Sequence, residues 1–160
     1  MKKVIIIGAS SGIGKALAEE MSADGFSIGI ASRREELLNS IKDKLHTPCF
    51  VKQIDVTKTQ EAMQGLSELI QEMEGVDVIV INAGVGFKNL DCEWSLEKTT
   101  IDTNVGGFAA MLNVAYNYFC EKGEGHIVGM GAADHIVQNH VGVVTGQERR
   151  SQAHLPGATP

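Results

Sequence analysis

Gly8, Gly12 and Gly14, in the run Gly8-Ala9-Ser10-Ser11-Gly12-Ile13-Gly14, have the type and spacing to cradle a phosphate. Glycines permit a tight turn and let the backbone approach a pyrophosphate. A helix that starts there adds unpaired N–H groups and a partial positive charge. The spacing is G-x3-G-x-G rather than G-x-G-x-x-G, and a plain strand-to-helix turn is the bland alternative. A second candidate is Ile30-Ala31-Ser32-Arg33-Arg34. In dinucleotide folds a carboxylate at this place hydrogen-bonds the ribose of NAD, whereas a nearby arginine accommodates the 2′-phosphate of NADP. Ser32 stands where the acid would be. Arg33 and Arg34 follow, and a guanidinium takes phosphate in a bidentate geometry. This favours NADP over NAD. The alternative is a pair of solvated arginines opening a helix, balanced by Glu35 and Glu36. His126, His135 and His140 form no triad or zinc spacing with Asp134, so no metal is expected.

The elements that must position these residues follow from periodicity. Lys3–Ile7 is an apolar, β-branched run stopped by Gly8, which fits a buried strand. Ile13, Ala16, Leu17 and Met21 then fall on one helical face, and Gly25 is a stop signal. Phe26–Ala31 is a second strand, followed by a helix carrying Leu37, Leu38, Ile41 and Leu45. Cys49–Ile54 is a third strand, followed by a helix with Ala62, Met63, Leu66, Leu69, Ile70 and Met73. Val76–Ile81 suits a central strand buried on both faces. A long helix places Val105, Phe108, Leu112, Ala115 and Phe119 on one side, and Gly125–Met130 is a fifth strand. Strict alternation implies an α/β fold: a doubly wound parallel sheet in the order 3-2-1-4-5, with helices on both faces.

Composition narrows the partners. Fourteen basic and twenty acidic side chains leave a charge of −6, a poor match to nucleic acid or an anionic membrane. No apolar run is long enough to span a bilayer. Cys49, Cys92 and Cys120 are far apart and odd in number, which fits reduced thiols and a cytoplasmic location.

Five motifs in order resemble the short-chain dehydrogenase/reductase family. Gly8, Gly12 and Gly14 match its glycine motif, without the usual threonine before Gly8. Ile54-Asp55-Val56 resembles the segment carrying its adenine-binding aspartate. Asn82-Ala83-Gly84 matches the motif that supports the central sheet. Asn104, in Asp102-Thr103-Asn104-Val105-Gly106, matches the catalytic-tetrad asparagine. Gly125-His126-Ile127-Val128 matches the start of strand five. The resemblance covers residues 1 to about 130 and implies an NAD(P)-binding Rossmann domain there, a small carbonyl or alcohol substrate, and usually homo-oligomers. Each residue has a blander reading: Asp55 as a cap for the third helix, Asn82 as a turn residue, Asn104 as a satisfied polar residue. Ser11 occupies the place where NADP-preferring members often carry a second basic residue.

The family's remaining catalytic groups are a serine after strand five and a Tyr-x3-Lys pair. Gly131-Ala132 stands in place of the serine, and no tyrosine or lysine follows Met130. Tyr118-Phe119-Cys120-Glu121-Lys122 has the spacing but precedes strand five, and is read as a coincidence. Residues 131–160 keep neither a helical nor a strand period and read as an irregular tail. A reading-frame shift in the coding DNA would produce such a change. The resulting expectations are a C-terminally truncated oxidoreductase domain, an inactive dinucleotide-binding module, or a non-functional fragment of doubtful oligomeric state. In such a chain the helix carrying Phe108 and Phe119, together with Val128, would leave apolar surface exposed.

Overall fold

The computed structural model describes residues 1–131 and 143–145. Its elements are β1 (Lys3–Ile7), α1 (Gly12–Ala23), β2 (Ser27–Ser32), α2 (Glu35–Lys42), β3 (Cys49–Gln53), α3 (Thr59–Glu72), β4 (Val78–Ile81), α4 (Trp94–Ile101), a π-helical segment (Asp102–Gly107), α5 (Phe108–Lys122), β5 (His126–Gly129) and β6 (Val143–Thr145). The sheet order is β3-β2-β1-β4-β5-β6. The first five strands are parallel, with the order read from the sequence. One feature departs from that reading. Val143–Thr145, inside the stretch expected to be irregular, pairs antiparallel with β5, with Val143 opposite Val128 and Thr145 opposite His126. Three residues are too few for a strand period to stand out in the sequence, so pairing with the open edge of β5 supplied what local pattern did not. The rest of 132–160 lies outside the described residues.

Alternation along the strands splits the core. On β1, Val4 and Ile6 face α1 and α2 and pack with Ala18, Ile28, Ile30, Leu38 and Ile41. Ile5 and Ile7 face the other way, against Leu66, Leu69, Met111 and Phe119 of α3 and α5. β4 divides in the same manner: Val80 joins the first cluster, Ile79 and Ile81 the second. A strand buried on both faces must be apolar throughout, which is why β1 and β4 were legible as central.

Three helical faces differ from the expected phase, α2 by one residue, Leu37, which is exposed while Leu38 and Ile41 are buried. On α1 the buried residues are Gly14, Ala18 and Ser22, while Ile13 is 64% exposed. Small residues let α1 lie close to the sheet, and Leu17 and Met21 flank that seam. Val105, expected on the buried side of the long helix, is 63% exposed. The π-helical turn adds residues per turn and rotates it out of phase with Met111, Ala115 and Phe119.

Candidate functional site

A cleft of about 320 Å³ opens at the C-terminal ends of β1, β2 and β4. It sits where the strand order reverses between β1 and β4, the usual ligand position in open α/β sheets. Gly8, Ser10, Ser11, Ile13, Arg33, Arg34, Asp55, Val56, Asn82, Ala83 and Gly84 all line it. Gly12 and Gly14 form the turn behind these residues, and Asn104 supports the far wall from outside the lining.

The glycine turn is built by close approach. Gly8 has φ +89°, and its N–H donates to the Ala31 carbonyl at 2.8 Å. A Cβ on Gly8 would stand 2.6 Å from the Ala83 nitrogen, so the Asn-Ala-Gly segment fits only against a bare backbone. Asn82 ties the two strands together, its Nδ2 donating to the Gly8 carbonyl at 2.9 Å. Asn82 is thus a tie between elements rather than an ordinary turn residue. Helix α1 begins at Gly12, so its free N–H groups open toward the cleft.

The charged rim comes from the end of β2. The Arg34 guanidinium donates from Nη2 to Ser10 Oγ at 2.9 Å and to Ser11 Oγ at 3.2 Å. Its backbone N–H donates to Ser32 Oγ at 3.2 Å. Arg34 therefore brings a cation to the side chain of Ser11, the loop position that itself carries none. Arg33 is held through its carbonyl, which accepts from Gln53 Nε2 at 3.0 Å. Its guanidinium has no hydrogen bond or ion pair among the described residues.

At the opposite wall, Asp55 Oδ1 accepts from the Thr57 N–H at 3.1 Å and the Thr57 hydroxyl at 2.7 Å, holding the turn that leads into α3. Asp55 therefore closes a turn rather than capping α3, whose N-cap is Lys58 with no side-chain cap bond, and the residue faces the cleft. Asn104 makes a reciprocal pair with Val85: its Oδ1 accepts from the Val85 N–H at 2.9 Å, and its Nδ2 donates to the Val85 carbonyl at 2.8 Å. That side chain fixes the segment following Gly84 to the π-helical turn. Ser32, which stands where the acid would be, also lines the cleft, as do Ile54, Thr57, Val85 and Thr103, which were not singled out from sequence. Thr103, beside Asn104 in the same motif, was the one with a signal to read.

Tyr118 and Lys122 lie at the other end of the sheet. The Val76 N–H donates to Tyr118 Oη at 2.9 Å, and Lys122 Nζ donates to the Val76 carbonyl at 2.7 Å and to Asp77 Oδ1 at 2.7 Å. Asp77 Oδ2 also accepts from the Lys3 N–H at 2.9 Å. The Lys122 ammonium, more than any other neighbour, holds the Asp77 carboxyl below the usual carboxylate range. The pair buttresses the N-terminal ends of β1 and β4, a strand's length from the cleft. Burial pushes the Cys49 thiol up to about 11, so it stays protonated and unreactive at neutral pH. No helix among the described residues is long and apolar enough to cross a membrane.

A parallel doubly wound sheet with a glycine turn at its switch point defines the class of Rossmann-like α/β proteins. Within it, this chain belongs to the short chain dehydrogenase family, whose model matches residues 2–144. It is 32% identical over 133 residues to an uncharacterized oxidoreductase of Staphylococcus epidermidis, covering 82% of this chain and 58% of that one. It is 28% identical over 135 residues to an NADP-dependent 3-hydroxy acid dehydrogenase of Escherichia coli, covering 81% and 53%. A crystal structure of a short-chain type dehydrogenase/reductase from Mycobacterium marinum superposes with a TM-score of 0.76 at 27% identity, covering 89% of this chain and 60% of that one. The chain spans little more than half the length of these relatives.

Proposed function

We propose that the cleft binds NADP and that the chain is the nucleotide-binding part of a short-chain oxidoreductase acting on a carbonyl or alcohol. The observation that carries this reading is the joint placement of the glycine turn and the two arginines on one cleft. The residues fit a dinucleotide. Gly8 and Gly14 leave the turn without the Cβ atoms that would crowd its backbone, the start of α1 offers donors to a pyrophosphate, and the Arg33 guanidinium is free for a 2′-phosphate. Arg34, anchored on Ser10 and Ser11, supplies the second cation. Asp55 and Val56 would flank the adenine. When bound, the nicotinamide would give or take the hydride.

The acid–base half of the reaction is a different matter. Tyr118 and Lys122 are committed to Val76 and Asp77, and no tyrosine or lysine follows Met130. Proton transfer by positioned groups contributes about 10²–10⁴-fold. We infer that the 160-residue chain binds nucleotide without ordinary turnover. This keeps the binding-module reading alongside the oxidoreductase one. The odd number and wide spacing of Cys49, Cys92 and Cys120 support a cytoplasmic setting.

Calorimetric titration tests the cofactor assignment. NADPH should bind more tightly than NADH, and Arg33→Ala should narrow the difference by about tenfold or more, as expected for a charge-assisted bond of about 1.5–3 kcal/mol. Equal affinity for both nucleotides in the unsubstituted chain would refute the preference. Steady NADPH oxidation with a panel of aldehydes and ketones would refute the inference of inactivity.

A further inference from the structure

Thr103 sits on the π-helical turn and is only 5% exposed. Its Oγ1 is a buried side-chain polar atom with no hydrogen-bond partner, the one such atom found among the described residues. A threonine in a helix ordinarily donates to a carbonyl one turn back. Two neighbours do so: Thr99 Oγ1 to the Ser95 carbonyl at 2.8 Å, and Thr100 Oγ1 to the Leu96 carbonyl at 3.0 Å. Thr103 does not, because the helix widens into its π turn at Asp102. A buried hydroxyl left unpaired is costly, and such cost in a native structure tends to sit at functional positions.

The position of Thr103 indicates what its hydroxyl is for. The residue lines the same cleft as Asp55, Val56 and Ala83. Four residues on, a Cβ at Gly107 would lie 2.7 Å from Val56 Cγ2, so this face of the turn is pressed against the junction of β3 and α3. We propose that Thr103 is a nucleotide-binding residue, its hydroxyl donating to an oxygen of the adenosine–pyrophosphate portion common to NADP and NAD. This rests on the nucleotide reading of the cleft. The residue lines the cleft while its hydroxyl oxygen is shielded, so the bond requires a turn about Cα–Cβ that exchanges methyl and hydroxyl. Threonine in helices divides between two such rotamers. Thr103 differs in role from Arg33. Arg33 would separate the two nucleotides, whereas Thr103 would strengthen both.

Thr103→Val keeps the shape and removes the hydroxyl. In titrations of the 160-residue chain with NADPH and with NADH, it should weaken both by the same factor, about three- to tenfold. The melting temperature without nucleotide should stay level or rise, because an unpaired buried group has gone. Thr103→Ser should restore affinity. Unchanged binding of both nucleotides by Thr103→Val would overturn the proposal. So would weakening of only one nucleotide, or a loss of affinity that accompanies a lower melting temperature and is not restored by serine. Failure of the unsubstituted chain to bind either nucleotide would instead overturn the reading of the cleft itself.

Discussion

Gly12 and Gly14 are glycine for different reasons, and the difference can be measured. Gly14 faces the Gly8 carbonyl and Asn82 Nδ2, and a Cβ there would stand 2.6 Å from that nitrogen. Gly12 has φ +55° but nothing within 4 Å of its Cβ position. Gly14→Ala must push α1 away from the Gly8 carbonyl and the Asn82 amide that bonds it, at a cost of about 3 kcal/mol. Gly12→Ala meets only a backbone penalty of about 1 kcal/mol. Denaturant melts should rank the variants in that order, and equal losses would contradict the packing account of the turn. These roles were half legible in the sequence. The motif placed both glycines at the turn, but which one touches Asn82 depends on β1 and β4 being neighbours. Asn104 is a similar case. The motif marked the residue, and only the structure supplied its partner, the backbone of Val85.

At the level of elements, the bond between Tyr118, Lys122, Asp77 and Val76 fastens the end of α5 to the entry of β4. The Asp77 carboxyl titrates below its unfolded value near about 4. Its contribution is therefore present above that value and lost as the pH falls through the depressed folded one. Its side chain is 41% exposed, so the effect is at most about 1 kcal/mol. Asp77→Asn should make the melting temperature less sensitive to acidification between about pH 5 and pH 2. Parallel acid curves for the two proteins would show that the pair adds nothing. Strand identity and order were readable because β1 and β4 are apolar on both faces. Helix phase was less so. The periodicity that buried Ile13 and Val105 assumed a large residue at every contact and an unbroken 3.6 repeat. Gly14, Ala18 and Ser22 break the first assumption, and the π turn at Asp102–Gly107 breaks the second.

On the scale of the whole molecule, apolar surface is left open chiefly away from where the sequence indicated. Phe119 is buried, and Phe108 and Val128 are half-buried and pack against the core. Trp94, Ile101 and Val105 are exposed instead, at 68%, 47% and 63%, along α4 and the π turn. They follow one another along one short helical stretch. Exposed apolar groups that cluster favour association, so the chain should elute larger than a monomer, and replacing Ile101 and Val105 by serine should shift it toward monomer. A sharp monomer peak at high concentration for the unsubstituted chain would contradict this. The central claim is that nucleotide binds at the switch-point cleft and not at the end of the sheet holding Tyr118 and Lys122. Backbone amide hydrogen exchange with and without NADPH tests it most directly. The account predicts slower exchange on adding NADPH at residues 8–14, 33–34, 55–56 and 82–85, with no change around Val76, Asp77 and Tyr118–Lys122. No protection at the glycine turn, or protection confined to the Tyr118–Lys122 end, would contradict it.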